Sequence, residues 1–200
     1  MLLGVVSDIH CNSLALRWAL DELEPAVDEI LVAGDAIYEY RFSNEVIEMV
    51  RGCNARYVLG NHEMQFLRAR PDIGKGTADP SHVEFMEATP ARLEMMIDGK
   101  RLLMIHGVPW APWSDYVYAN SPQLSRFAEV DADIVVVGHT HIAMVERVGT
   151  TLVVNPGSVG ESRGTTERYL SYAIVDTKTE EVDIRRFTSA EIEPPVDPFQ

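Results

Sequence analysis

Cysteine, histidine and basic charge are all scarce in this sequence. The two cysteines, Cys11 and Cys53, are too few for a disulfide framework, and no CxxC pair occurs. Only 17 Lys and Arg stand against 31 Asp and Glu, a formal net charge of -14. A surface so acidic is a poor ligand for nucleic-acid phosphates, which reward clustered cations, although bound divalent metals would invert the local field. No stretch approaches the roughly 18 apolar residues of a membrane span. Met1 to Ile9 carries no basic segment and meets Asp8 too early for a signal peptide. There is no internal repeat, low-complexity tract or linker. What remains is 200 residues at 46% hydrophobic content, enough for one sizeable core. The expectation is a soluble, cytoplasmic single domain over residues 1–187. A C-terminal tail over 188–200, with three prolines and no periodicity, is expected to be a loose end.

Only six histidines are present. His10, His62, His106, His139 and His141 each fall at or just after the end of a predicted strand, beside Gly, Asp or Asn, and only His82 does not. The densest motif is Val135-Val136-Val137-Gly138-His139-Thr140-His141, a β-branched run stopped by glycine. In extended chain, side chains two apart share a face, so His139 and His141 are expected to point the same way. Spacing leaves open whether both hold one ion or each holds one of a pair.

The remaining chain supplies partners. Apolar runs at Leu2 to Val6, Ile30 to Ala33 and Arg56 to Leu59 read as buried strands. They end in Ser7-Asp8-Ile9-His10, Gly34-Asp35 and Gly60-Asn61-His62-Glu63. Between them, Asn12 or Ser13 can cap one helix and Ser43 a second. This alternation predicts parallel strands carrying helices, with ligands at the strand ends. Further helices are expected over Met64–Arg70, Ser81–Ala88 and about Pro122–Glu129, and a loop over Pro71–Pro80 that could close over substrate. Leu93–Ile97 and Arg101–Ile105 read as a hairpin that delivers His106-Gly107, and Ile134–Val137 as a strand. The last quarter reads as strands over Ala143–Val148, Thr151–Val154, Tyr169–Asp176 and Glu181–Phe187. A βα half and a β-hairpin half together suggest an α/β (α+β) fold of two facing sheets with helices outside.

Collected, the strand-end groups are Asp8, His10, Asp35, Asn61, His62, His106, His139 and His141. Oxygen and imidazole donors without thiolate suit Zn, Mn, Fe or Ni. Eight groups exceed one ion's needs, whereas two ions sharing a carboxylate would use most of them, and such pairs are a standard device for phosphoryl hydrolysis. Taken singly, the aspartates could be helix caps, Asn61 a turn residue and His62 a structural histidine. Cys11 reads as a small buried hydrophobe, His82 as a surface residue, and Asn12 as a helix cap that could also reach phosphate.

Asp8-Ile9-His10, Gly34-Asp35, Gly60-Asn61-His62-Glu63, His106-Gly107 and Gly138-His139-Thr140-His141, in that order, resemble the calcineurin-like metallophosphoesterases. The resemblance runs from Val5 to about Asp176, and Asn155-Pro156-Gly157-Ser158-Val159-Gly160 followed by Arg163 is similar to the small, compact phosphodiesterase branch. It implies a four-layer α-β-β-α sandwich of two mixed β-sheets, with a dinuclear site at the strand ends. Asp8, His10 and His141 would hold one metal, Asn61, His106 and His139 the other, and Asp35 would bridge. His62 would protonate the leaving group or stabilise its charge, and a metal-bound or bridging hydroxide would attack a small phosphate diester. Manganese is one candidate among the two divalent ions. A phosphomonoesterase or nucleotide pyrophosphohydrolase is the alternative within the same chemistry. A non-catalytic scaffold like the retromer subunit of the family is the alternative outside it, and homo-oligomerisation is left open.

Two features depart from that branch. Ser162 stands where a proline is expected, and Tyr38 to Phe42 is individual. Trp110, Trp113, Tyr116 and Tyr118 follow His106 closely, and could stack on a base or aryl group, pack on one another, or meet a second subunit. Arg41, Arg68 and Arg163 are candidate cations beside the metals.

Overall fold

A computed structural model describes residues 1–69, 78–163 and 168–192. Among these, the strands are β1 (Leu2–Val6), β2 (Glu29–Val32), β3 (Arg56–Tyr57), β4 (Arg92–Ile97), β5 (Lys100–Ile105), β6 (Ile134–Val136), β7 (Met144–Val148), β8 (Thr151–Asn155), β9 (Leu170–Asp176) and β10 (Val182–Phe187). The helices are α1 (Ser13–Leu23), α2 (Asn44–Gly52), α3 (Asn61–Ala69), α4 (Pro80–Ala88) and α5 (Ser189–Ile192), with a 3-10 helix at Pro122–Glu129.

The strands form two mixed sheets, ordered β10-β9-β1-β2-β3 and β4-β5-β6-β8-β7. In the first, β1, β2 and β3 are parallel, and β9 adds antiparallel to β1. In the second, β5, β6 and β8 are parallel, and β4 and β7 close the edges as antiparallel hairpin partners. The β4–β5 turn is the two-residue Asp98-Gly99, both at positive φ (49° and 79°), the geometry that matches strand twist.

Period-two alternation sorts the side chains into layers. Leu3, Val5, Leu31 and Ala33 face Leu102, Met104, Ile134 and Val136 between the sheets. Val6, Ile30 and Val32 point outward and are covered by α1 to α4 through Leu16, Leu20, Ile47, Phe66 and Met86. The outer face of the second sheet has a thinner cover: Phe127 of the 3-10 helix, with Val108 and Val117. This is the expected arrangement of two facing sheets flanked by helices. No helix among the described residues is long and apolar enough to cross a membrane.

Local chemistry explains the helix starts. Asn12 Oδ1 accepts from the Ala15 N–H at 3.1 Å, and Ser43 Oγ from that of Val46 at 3.3 Å. β3 ends two residues sooner than expected because Leu59 N–H leaves the sheet and bonds Pro90 O at 2.9 Å. Helix α3 then begins at Asn61 rather than Met64, which sets Asn61 and His62 in its first turn.

Three expectations need correction. His82 is buried rather than a surface residue, with Nδ1 2.9 Å from an Arg51 guanidinium nitrogen. The helix at Pro122–Glu129 is of the 3-10 type, with Phe127 its buried side chain. Residues 189–192 are helical and Ile192 packs on the helix-side core, so these four residues are not part of a loose end. Most of the Pro71–Pro80 loop and the end of the chain, residues 193–200, lie outside the described residues.

Candidate metal centre

Every strand that carries a motif ends at the same edge of the sandwich, and the loops there are tied to one another by backbone hydrogen bonds. Ile9 and His10 N–H both donate to Asp35 O (2.8 and 3.0 Å), and Gly138 N–H donates to His106 O at 2.8 Å. The loops approach so closely that several glycines have no room for a side chain. A Cβ on Gly138 would lie 2.0 Å from Ser7 Oγ, and one on Gly60 2.0 Å from Asp35 Oδ1.

The loops are also strained in one particular way. Asp8, His10, Cys11, Asp35, His139 and His141 all have left-handed backbone, with φ between 49° and 69°. Non-glycine residues adopt this region at a cost and persist there only when the surroundings enforce it. His139 and His141 are therefore not on extended chain, and the same-face expectation fails. His141 groups with Asp8 and His10, whereas His139 groups with Asp35 and His106, the ligand atoms in each set lying within 4.8 Å of one another. A further set joins His10, Asp35 and His62, so Asp35 adjoins both halves of the cluster.

The buried carboxylates and imidazoles of the cluster shift one another's titration. Asp8 and Asp35 are buried, and burial alone would raise their pKa values. The neighbouring charge on His106 overrides this and holds both carboxyls below their usual range. His106 in turn loses from burial, yet Asp35 and Asp8 push its pKa up to about 10. His139 moves the other way, to about 4, through burial and the charge on His106.

Several buried polar atoms of the cluster are left without a partner. Asp8 Oδ1, Asn61 Oδ1 and His106 Nε2 are buried without a hydrogen-bond partner. His106 Nε2 lies 3.0 Å from Asp35 Oδ2, and His141 Nε2 3.2 Å from Asp8 Oδ1, as ion-pair contacts that lack hydrogen-bond alignment. His106 Nδ1 donates to Ala33 O at 2.7 Å, which leaves Nε2 facing the cluster. His139 Nε2 donates to Ser114 O at 3.1 Å, which leaves Nδ1. Backbone-oriented imidazoles, two carboxylates and an amide oxygen fit borderline divalent ions.

A surrounding ring of residues positions these donors, and much of it was not anticipated from sequence. Ser7 Oγ (2.7 Å) and His139 N–H (3.0 Å) both donate to Asp8 Oδ2. Glu63, fully buried, accepts from the N–H groups of Asp35 (3.0 Å), Ile37 (3.0 Å) and Gly60 (2.7 Å). The last is half of a capping box for α3, the one sequence signal for this role. Asn155 Nδ2 donates to Gly138 O and Ser158 Oγ to Asp8 O, both at 2.7 Å, so that motif braces two ligand loops. The individual segment from Tyr38 supplies two neighbours: Tyr38 stacks on His10 with ring centroids 4.6 Å apart, and Glu39 pairs with His62 Nδ1. Cys11 is buried with its thiol pKa raised by burial to about 11, as expected of a small hydrophobe.

His62 stands beside the cluster, half-buried, with Nε2 3.7 Å from Asp35 Oδ2. The aromatic cluster divides. Trp110 packs on Phe127 and under Arg126. Tyr116 stacks on His139 at 4.0 Å, and Trp113 is exposed at the rim of a cavity. Of the candidate cations, Arg68 lines that cavity, Arg163 lines a separate one with Asn12, and Arg41 is exposed.

Fold and site together define a class: a two-sheet α/β domain whose strand ends gather carboxylate and imidazole donors able to hold divalent metals. The chain belongs to the calcineurin-like phosphoesterase superfamily, whose domain matches residues 1–180, and its enzyme class is metallophosphoesterase. Over 215 residues it is 27% identical to the uncharacterized protein MJ0912 of Methanocaldococcus jannaschii, covering 92% of this chain and 86% of that one. A metallophosphoesterase from Sphaerobacter thermophilus is 26% identical, with a TM-score of 0.75 over 94% of this chain and 88% of its own. An archaeal phosphodiesterase, at 22% identity, shares the fold with a TM-score of 0.62 over 94% of this chain and 100% of its own.

Two outcomes are expected. Glu63→Gln removes one acceptor oxygen and turns an amide N–H toward a backbone N–H, costing about 2–3 kcal/mol. The Tm should fall by roughly 5–10 °C, and a variant within 1 °C of wild type would show that Glu63 does not tie the loops. In metal-free protein the charged His106 stabilises the fold fully below its unfolded pKa of about 6.5, and this is lost as pH rises toward 10. Calorimetry of chelator-treated protein should therefore show Tm decreasing from pH 7 to 10, and metal addition should flatten the slope; a Tm that rises over that range contradicts it.

Proposed function

We propose that the chain is a metal-dependent phosphodiesterase that hydrolyses a small phosphate diester. Asp8, His10 and His141 would hold one ion and Asn61, His106 and His139 the second, with Asp35 adjoining both sets. Bound there, two divalent ions supply Lewis acidity toward the phosphoryl oxygens and a water deprotonated near neutral pH. The chain's own residues do the rest. Ser7, Glu63, Asn155 and Ser158 keep the donors rigid, so little reorganisation is needed during reaction. Glu39 fixes the His62 ring through Nδ1, which leaves Nε2 to hand a proton to the leaving oxygen or to stabilise its charge.

The preference for a diester is carried by one observation. Among the described residues, Arg68 and Arg92 line the cavity beside Asn61, His106 and His139, but no Lys or Arg side chain forms an ion pair or hydrogen bond with Asp8, Asp35, His62 or the histidines around them. A phosphate monoester brings about −1.5 to −2 charges at pH 7 and favours extra cations, whereas a diester brings only about one. A scaffold role has no need for His62 held by a carboxylate beside a complete donor set.

Protein reconstituted with manganese should turn over bis(p-nitrophenyl) phosphate faster than p-nitrophenyl phosphate; the reverse order would establish the phosphomonoesterase alternative. His62→Ala should retain its bound metals by elemental analysis and lose about 10²–10⁴-fold in kcat. Loss of metal on that substitution would make His62 a ligand instead.

A further inference from the structure

Beside the candidate metal centre lies a cavity of about 550 Å³, within the range of small-molecule sites. One end is formed by Asn61, His106 and His139, so anything bound there sits against the phosphate-binding position. From that end, helix α3 runs along one wall. Asn61, Met64, Gln65 and Arg68 follow the three- and four-residue spacing of a single helix face, and all line the cavity. Leu59, Ile105, Pro112 and Trp113 make much of the remaining lining apolar, with Arg92 a second guanidinium beside them. Trp113 lines the cavity and is 59% exposed, which leaves indole surface available to a stacking partner. Its carbonyl accepts from Val108 N–H at 3.0 Å, so the loop that presents the ring is anchored through the backbone.

The cavity also has a side. His62, the proposed acid, is not among its lining residues; it sits toward His10 and Tyr38, with ring centroids 5.1 and 5.6 Å away. The leaving oxygen must lie near His62, so the cavity receives the other arm. We propose that it holds a planar aromatic ring, aryl or nucleobase, on the arm of the diester that stays bonded to phosphorus. This rests on the phosphodiesterase reading. Water adds to phosphorus, the P–O bond on the His62 side breaks, its oxygen leaves with a proton, and the product is a monoester that keeps the aromatic arm. A polyol or short alkyl arm would leave the apolar walls and Trp113 uncovered. Gln65 and Arg68 also line the cavity, and an amide and a guanidinium suit the hydrogen-bonding edge of a base.

The test compares three diesters that share p-nitrophenol as the leaving group and differ in the retained arm: methyl, phenyl and thymidine-5′. With metal-reconstituted protein, kcat/KM for the phenyl or thymidyl arm should exceed that for methyl by about tenfold, mainly through KM. Thymidyl above phenyl would assign a nucleoside, and phenyl alone above methyl an aryl group. In Trp113→Ala that advantage should shrink to less than about threefold. Binding gives a second readout: phenyl phosphate or thymidine 5′-monophosphate should bind the wild type more tightly than methyl phosphate, and the variant should lose the difference. Equal kcat/KM for all three arms, or an advantage untouched in Trp113→Ala, would overturn the proposal while leaving the phosphodiesterase reading intact. Failure to turn over any diester with metals bound would defeat that reading, and the binding comparison would then decide for or against the aromatic site.

Discussion

Two carboxylates, Asp8 and Asp35, are buried within a few ångströms of five imidazoles, and the rest of the structure is arranged to tolerate this. Removing ionised carboxylates from water is expensive unless each oxygen is hydrogen-bonded or paired with a cation. Here one oxygen of each is satisfied by the protein: Asp8 Oδ2 by Ser7 and His139, Asp35 Oδ1 by the His62 N–H. The other oxygens face imidazole nitrogens at 3.0–3.2 Å without hydrogen-bond alignment. Protein donors thus stop where cations would begin, which is the reason to regard the cluster as a metal centre rather than a polar core.

The same constraint accounts for the backbone. Gathering so many donors at one point requires sharp turns directly after β-strands, and five of the proposed ligands take up left-handed φ to make them. Such strain persists only where neighbouring interactions hold it. Glu63 provides some of them from inside helix α3, bonding the backbone of the Asp35 loop and of Gly60 at once. Ser158 and Asn155 do the same from β8 and its following loop. The sandwich beneath is the rigid element, with parallel strands in both sheets ending at a common edge.

The segment after His106 divides its labour between packing and the cavity. Trp110 turns inward onto Phe127 and thickens the thin outer cover of the second sheet. Tyr116 lies on His139 and helps hold that ring, while Trp113 faces outward at the rim of the cavity beside the candidate centre. One aromatic cluster therefore connects core packing to the part of the surface where substrate choice would be exercised.

The strand–helix alternation, both helix caps and the hairpins at 92–105 and 170–187 were legible in the sequence, because each rests on local periodicity and turn chemistry. So were the strand-end Asp and His residues, since donors recurring at the ends of apolar runs need no tertiary information to be noticed. The partition of His139 and His141 was not legible from spacing, because their left-handed backbone is imposed by contacts with loops over 100 residues away. Nor was the pairing of Glu39 with His62, or the burial of His82 against Arg51, since an isolated charged residue carries no sign of what will face it. Local propensity determined the elements and where their polar ends lie. Only the packing of the two sheets decided which ends meet, because burial and pairing depend on groups brought together from distant parts of the chain.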